Sequence, residues 1–406
     1  MVDVRSGEIS KDQTVLVKGA RIAYAGPPAS APSLRGARVV DGSGKFLIPG
    51  LWDMHVHGFL YVFSDFAGPL MIANGVTGAR DMGYYIDTTL RWKRDIAAGK
   101  VIGPRLVVGV RIDGDVNKAR FVSHVKTAED GVRAVDTLAR KKDGTSRADF
   151  IAVEKGIPRE AYFAIARESK RLGISLAGFV PSSVSVVEAA DSGQRTFERE
   201  DDVVRACTPH TSPTCRATIA ALAANHAWVT PTLVSYQPFA HAFDSASTHP
   251  ELAKYVPGIV KGGWVRRTQA APKSDSMIVR GFFSFDRTRE LRDAGVKLLA
   301  GSDMPQTFMY PGFSLHDELG LLVQAGLTPL EALQTATMNP AEALGMQGAL
   351  GTIGQGKVAD MILLDANPLE NIANTRRISA VIANGRLFDR AALNQLLHHV
   401  DSALKR

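Results

Sequence analysis

The chain has 406 residues, 45% hydrophobic and 22% charged, enough apolar material for a large core, and this excludes a disordered chain, a collagen and a coiled coil. At about 150 residues per domain the length predicts two or three domains, or one large α/β barrel with a small domain attached. Against 48 Lys and Arg stand 41 Asp and Glu, a net charge of +7. The basic residues are scattered rather than gathered into a stripe with aromatics, so no nucleic-acid partner is expected. The sequence has no apolar run of 18 or more residues, and MVDVRSGEIS lacks the basic-then-apolar order of a signal peptide, so no membrane partner is expected either.

In chain order, residues 13–26 (QTVLVKGARIAYAG) alternate apolar and polar about a Gly turn, which predicts a β-hairpin. Short apolar runs at 51–57, 75–81, 105–110, 149–154, 173–179, 194–199, 228–234 and 296–302 alternate with helical stretches. Repeated βα units of this kind, with strands apolar on both faces, predict a (β/α)8 TIM-like barrel in an α/β fold. Cys207 and Cys215 lie eight apart in the loop-like ACTPHTSPTC, where they could close a small disulfide or be two free thiols. The stretch 240–290 is longer than a connection requires, which predicts a helical flap over the barrel mouth. Residues 357–368 and 378–389 form a second β-rich pair with Asn384-Gly385 as a turn. The expected organisation is therefore 1–46 and 347–406 as the two parts of a small β-sandwich, the latter ending in a helix, around a barrel at 47–346.

The strongest local signal is FLIPGLWDMHVHG (47–59). His55 and His57 are two apart on a predicted strand and so share a side, near the C-terminal end where barrels gather their chemistry. Two imidazoles there can hold a divalent metal such as zinc; two polar core residues are the plainer alternative. VKLLAGSDMP (296–305) is an apolar strand ending at Asp303, which alone reads as a cap. Placed beside His55 and His57 by the closure of a barrel, Asp303 completes a three-ligand set and can also accept a proton.

With these pieces in place the sequence resembles the amidohydrolase superfamily, in particular its imidazolonepropionase and Xaa-Pro dipeptidase-like branch. The resemblance is carried by LIPGLWDMHVHG, GVTGARDMG, AADSGQRTFERE, WVTPTLVSY, LLAGSDMP and GTIGQGKVADMILLD, among others, and covers essentially the whole chain. It implies a barrel with a small β-sandwich from both chain ends and metal-assisted hydrolysis of amides, lactams or related bonds. The family's leading sandwich strand is expected to be missing, because the chain starts where the family is already in its second strand. The resemblance also implies two metals, bridged by a carboxylated lysine on the fourth strand and bound by a histidine on each of the fifth and sixth. Those three positions are Ala152, Phe179 and Arg199 here, and none of the ten histidines falls on those strands. The second metal site is lost.

What remains is one divalent metal, zinc favoured, on His55, His57 and Asp303, with a metal-free site as the alternative. Asp303 would be the general base. Glu154, two residues beyond Ala152, could replace part of the bridge, or pair with Lys155 or Arg199 at the rim. Arg199 could bind a substrate carboxylate or stabilise an oxyanion, or fill the vacated pocket against Glu154 or Glu198. Phe179, Ala152, Tyr236 and Trp228 are the expected pocket wall, although aromatics on a barrel strand, as the last two are, more often belong to the core. Asp81 and His316 read first as a helix cap and a helix start, and the Gly-rich GTIGQG as a turn without a nucleotide cofactor.

The expected function is single-metal hydrolysis of a C–N bond in a small organic substrate. A cyclase, lyase or isomerase working through Arg199 and Asp303 is the alternative enzyme class, and a non-catalytic binding protein the alternative outside it. The expected partner is a small molecule, with homo-oligomers common in families of this kind. The expected location is the cytoplasm, or the periplasm or exterior if the chain has been trimmed and the two cysteines are bonded.

Overall fold

Largely apolar runs recur along the chain between helical stretches, and they become the parallel strands of a barrel. The structure, a computed structural model, describes residues 1–58, 63–114, 123–139, 147–207, 212–240, 248–270 and 285–405. At the N-terminus β1 (Thr14–Lys18) and β2 (Arg21–Gly26) form the expected antiparallel hairpin, followed by β3 (Phe46–Pro49). The barrel strands are β4 (Leu51–Val56), β5 (Val76–Asp81), β6 (Arg105–Asp113), β8 (Phe150–Val153), β9 (Ser175–Gly178), β10 (Thr196–Glu198), β11 (Trp228–Thr230) and β12 (Lys297–Leu298), with a two-residue β7 (Ser123–His124) beside β6. All pair in parallel and in chain order. Every residue of β4 and β5 is buried, as two-sided covering requires.

Closure is made by the segment after β12. Met54 N donates to Ala300 O (2.9 Å), Asp303 N to His55 O (2.8 Å) and His57 N to Met304 O (2.7 Å), so the last strand bonds back to the first. Gly301 allows this approach, since a Cβ there would lie 2.7 Å from the Thr230 side chain and 2.8 Å from that of His55. The eighth strand, Lys297–Leu298, is shorter than 296–302, and left-handed Asp303 (φ 55°) then turns the chain into the site. The seventh ends at Thr230 rather than 234: Pro231 has no N–H to give a ladder, and a helix begins at Leu233.

The helices between strands bury one stripe each. Arg159–Leu172 starts after Pro158, buries Ala161, Tyr162, Ile165 and Ser169, and ends on left-handed Gly173 (φ 67°). The helices Asp201–Ala206 and Pro213–Ala224 are joined by the Cys207–Cys215 disulfide, which settles the open alternative between bonded and free thiols. Within the 240–290 stretch, the helix Gly258–Ala270 lays Trp264 on Phe308 and Tyr310 (ring centroids 5.4 Å each), while Arg267 donates to Gln306 (3.0 Å). It therefore covers the loop that follows Asp303; residues 241–247 and 271–284 of the expected flap lie outside the described residues.

The second antiparallel sheet has the order β15-β14-β13-β3, with β13 (Met361–Leu364), β14 (Ile378–Ala383) and β15 (Arg386–Asp389), so both chain ends build it. Asn384 (φ 50°) and Gly385 (φ 78°) turn β14 into β15 within the segment 378–389. A Cβ on Gly385 would sit 1.9 Å from Gly19 O, which brings the two hairpin turns into contact. Ile22 N to Lys357 O (2.8 Å) and Ala359 N to Ala20 O (2.9 Å) tie β2 to the approach to β13. No helix among the described residues is long and apolar enough to cross a membrane.

Candidate metal centre

β4 positions the site through an irregularity. Its register with β5 shifts between Asp53 and Val56, so strict alternation breaks there. Trp52 and Met54 pack with Val107, Phe150, Ala177 and Leu299, while His55 and His57 both turn to Asp303. Asp53 holds this bend: its carboxylate accepts from Ser302 N (2.9 Å), Ser302 Oγ (2.6 Å) and His55 N (3.3 Å). Burial raises the Asp53 carboxyl to about 6 despite these donors.

At the C-terminal end of the barrel, Asp303 Oδ1 lies 3.5 Å from both His55 Nε2 and His57 Nε2, and all three residues are buried. A nitrogen-to-oxygen separation of 3.5 Å is long for a hydrogen bond, whereas ligands of a tetrahedral zinc with bonds near 2.05 Å stand roughly 3.3–3.4 Å apart. The donor set therefore fits a divalent metal, and no second group of three such donors exists among the described residues. His57 Nδ1 is buried without a hydrogen-bond partner, and its ring meets Tyr84 edge-on at 5.0 Å. The other oxygen, Asp303 Oδ2, accepts from Arg199 Nη1 (2.7 Å). Burial acts to raise the Asp303 carboxyl, but Arg199 and the two histidines hold it well below the ordinary carboxylate range.

Arg199 is thus brought into the site, paired with Asp303 rather than with Glu154 or Glu198. Its Nε donates to the Tyr236 hydroxyl (2.9 Å), and its guanidinium lies 4.5 Å from the Tyr236 ring centre. Tyr236 reaches it from the helix Leu233–Ala240, not from the flank of a strand. Glu154 pairs with Arg111 (2.6 Å), a partner the sequence reading did not consider, and Arg111 in turn lies over the Tyr84 ring. Burial pushes the Glu154 carboxyl up, against the opposing charge of Arg111. Lys155 pairs instead with Asp201 (2.8 Å) and sits over the Phe179 ring.

Arg111, Glu154, Lys155, Phe179, Arg199 and Asp201 line a cleft of about 810 Å³. Phe179 lines this cleft. Trp228 and Ala152 do not: they are 0% and 2% exposed within the barrel cluster of Trp52 and Phe150, because β8 and β11 aim them at the interior below the mouth. Asp81 accepts from Gly83 N (3.0 Å) and shapes the turn after β5. His316 is buried inside the helix Phe313–Gln324, bonded to Thr375 and to Asn74 O, and burial pushes it down to about 3.

Arg80 escaped the sequence reading, and Glu198 entered it only as a possible partner of Arg199. Glu198 accepts from His55 Nδ1 (2.8 Å), and Arg80 bonds Glu198, Thr196 and Met54 O; all are buried inside the barrel. The signal lay in period 2: Thr196 and Glu198 share a side of β10, and Arg80 interrupts a strand whose every residue is closed to water.

The chain matches the profile of the amidohydrolase family over residues 46–388. It is 26% identical over 390 residues to an imidazolonepropionase of Symbiobacterium thermophilum, covering 89% of this chain and 87% of that one. Among solved structures it is similar to a bottromycin amidohydrolase (TM-score 0.77, 23% identity, 99% of this chain and 88% of that one). It is also similar to a Xaa-Pro dipeptidase with bound methionine in the active site (TM-score 0.74, 20% identity, 96% and 97%). Barrel, two-ended sheet and profile agree: the chain belongs to the amidohydrolase family, whose members are hydrolases acting on C–N bonds.

Proposed function

We propose that this chain hydrolyses a C–N bond, an amide or a lactam, in a small organic substrate, with one divalent metal, zinc favoured, held by His55 Nε2, His57 Nε2 and Asp303 Oδ1. The observation that carries the reading is the pair of 3.5 Å separations on one carboxylate oxygen at the barrel mouth. A metal bound there supplies Lewis acidity toward the substrate carbonyl and a lowered pKa for water. Arg199 lines the cleft and can take up an anionic oxygen of the substrate. Movement of its guanidinium onto substrate would release Asp303 Oδ2 to accept a proton from the attacking water. Phe179 closes one side of the cleft with an apolar wall and limits water there.

A second reading, a cyclase, lyase or isomerase, is favoured by the Arg199–Asp303 ion pair at 2.7 Å, which sets a fixed cation for an anionic oxygen beside a carboxylate base without a metal. Turnover of a panel of amides and lactams by zinc-loaded and chelator-stripped protein separates the two. The hydrolase reading expects turnover that disappears on stripping and returns with zinc, and an Arg199→Ala variant with KM raised about tenfold, a loss of 1–2 kcal/mol of binding. Activity indifferent to chelation and abolished by Arg199→Ala would establish the second reading instead.

A further inference from the structure

Behind the candidate ligands lies a closed polar chain. Glu198 Oε2 faces His55 Nδ1 at 2.8 Å, and Glu198 Oε1 accepts from Thr196 Oγ1 (2.7 Å) and from Arg80 Nη2. Arg80 is fixed in turn by Met54 O (2.7 Å) and Thr196 Oγ1 (2.8 Å). The side chains of His55, Glu198 and Arg80 are at most 2% exposed, so water does not compete for any of these bonds. An ionised carboxylate only accepts, so the proton between Glu198 and His55 belongs to Nδ1. Nε2 is the ring nitrogen on the other side, facing Asp303 Oδ1 across 3.5 Å. With Nδ1 bonded to Glu198, Nε2 is the nitrogen free to serve as a metal ligand in the group His55, His57 and Asp303.

We infer that Glu198 is a positioning residue for the metal centre: it fixes the tautomer and ring orientation of His55 and raises the basicity of Nε2, with Arg80 as its buried counter-charge. The inference rests on the mononuclear reading above and adds to it a fourth and fifth residue from β10 and β5. Arg80 explains why an acid can lie in the barrel interior at all. A carboxylate there without a partner would be expelled or protonated, and a protonated one would no longer hold His55 in this state. Glu198 touches neither substrate nor metal in this account, and its effect runs through His55.

The test uses the full chain. Zinc affinity is measured by chelator competition for the wild type and for the double variant Arg80→Gln/Glu198→Gln, which removes both buried charges together and leaves neither alone. The expected result is a 10–100-fold weaker zinc affinity in a protein whose circular dichroism and melting temperature stay close to wild type. Thr196→Val, which takes away one donor to Glu198, is expected to give a smaller loss in the same direction. Histidine nitrogen NMR of the zinc-loaded wild type needs no variant to fold and is expected to show His55 protonated on Nδ1. Zinc affinity unchanged in the folded double variant, or a His55 Nδ1 that carries no proton in the zinc-loaded protein, would overturn the inference while leaving the metal centre standing. Wild type that takes up no zinc would overturn the mononuclear reading itself.

Discussion

Arg199 is the residue on which the two chemical readings divide, and its backbone is as unusual as its position. It has φ 60°, Thr232 has 51° and Asp303 has 55°, so three non-glycine residues near the ends of successive barrel strands are left-handed. For a residue with a Cβ this costs about 1–2 kcal/mol, and such costs gather where a site dictates side-chain direction. For Arg199 the return is direct: just past β10 the left-handed turn sends the guanidinium to Asp303 Oδ2 and the Tyr236 hydroxyl. Arg199→Ala keeps the strain and loses the ion pair, whereas Arg199→Gly loses both. The glycine variant is therefore expected to be more stable than the alanine variant by roughly 0.5–1 kcal/mol, after its greater freedom in the unfolded chain is subtracted. Urea unfolding of the two variants measures this difference. An alanine variant as stable as or more stable than the glycine variant would show that the backbone at 199 is not strained.

At the scale of elements, the helices behind the mouth are fastened by a buried acid. Glu318, on Phe313–Gln324, accepts from Val234 N (2.8 Å) at the first turn of Leu233–Ala240, the helix that carries Tyr236. Burial outweighs the backbone donors and pushes its carboxyl up from 4.5 to about 8. The folded protein therefore holds a proton that the unfolded chain releases near pH 4.5. The stability tied to this group is complete below pH 4.5 and is lost as the pH rises toward 8. Glu318→Gln removes that titration, so the variant is expected to gain on wild type as the pH rises from 5 to 8.5. Parallel stability profiles for the two proteins across that range would contradict it.

The same scale shows what was legible in the residues. The apolar runs predict every barrel strand, and His-x-His on a strand paired with an acid after the last one predicts the donor set, because both follow from period 2 and from closure. Strand ends are read less well: Pro231 and left-handed Thr232 stop β11 early, and that depends on a backbone turn no alternation announces. Partners across the barrel are hidden for another reason. Glu198 meets His55 and Arg80 over sequence separations of 143 and 118 residues, and Arg111 meets Glu154 only through neighbouring strands β6 and β8. Trp228 misleads because an aromatic on a barrel strand has the same pattern whether it lines a mouth or fills a floor.

For the whole molecule, the closing bonds between β4 and the segment after β12 do two things at once. They complete the barrel, and they carry Asp303 to the two histidines. Chain ends more than 300 residues apart share one sheet, with β3 paired to β13 directly before β4 begins, so the small domain braces the strand that bears His55 and His57. The cleft above is lined by cations each paired with an acid: Arg111 with Glu154, Lys155 with Asp201, Arg199 with Asp303. The architecture thereby gathers His55, His57 and Asp303 into a group that could hold a metal ion. Its most direct test is metal content per chain by elemental mass spectrometry, on protein purified without chelator and on the His55→Ala/His57→Ala variant. About one zinc, iron or manganese per chain, lost in the variant, is the result expected of a three-ligand site. No stoichiometric metal in the intact protein would contradict the mononuclear centre and with it the hydrolytic mechanism.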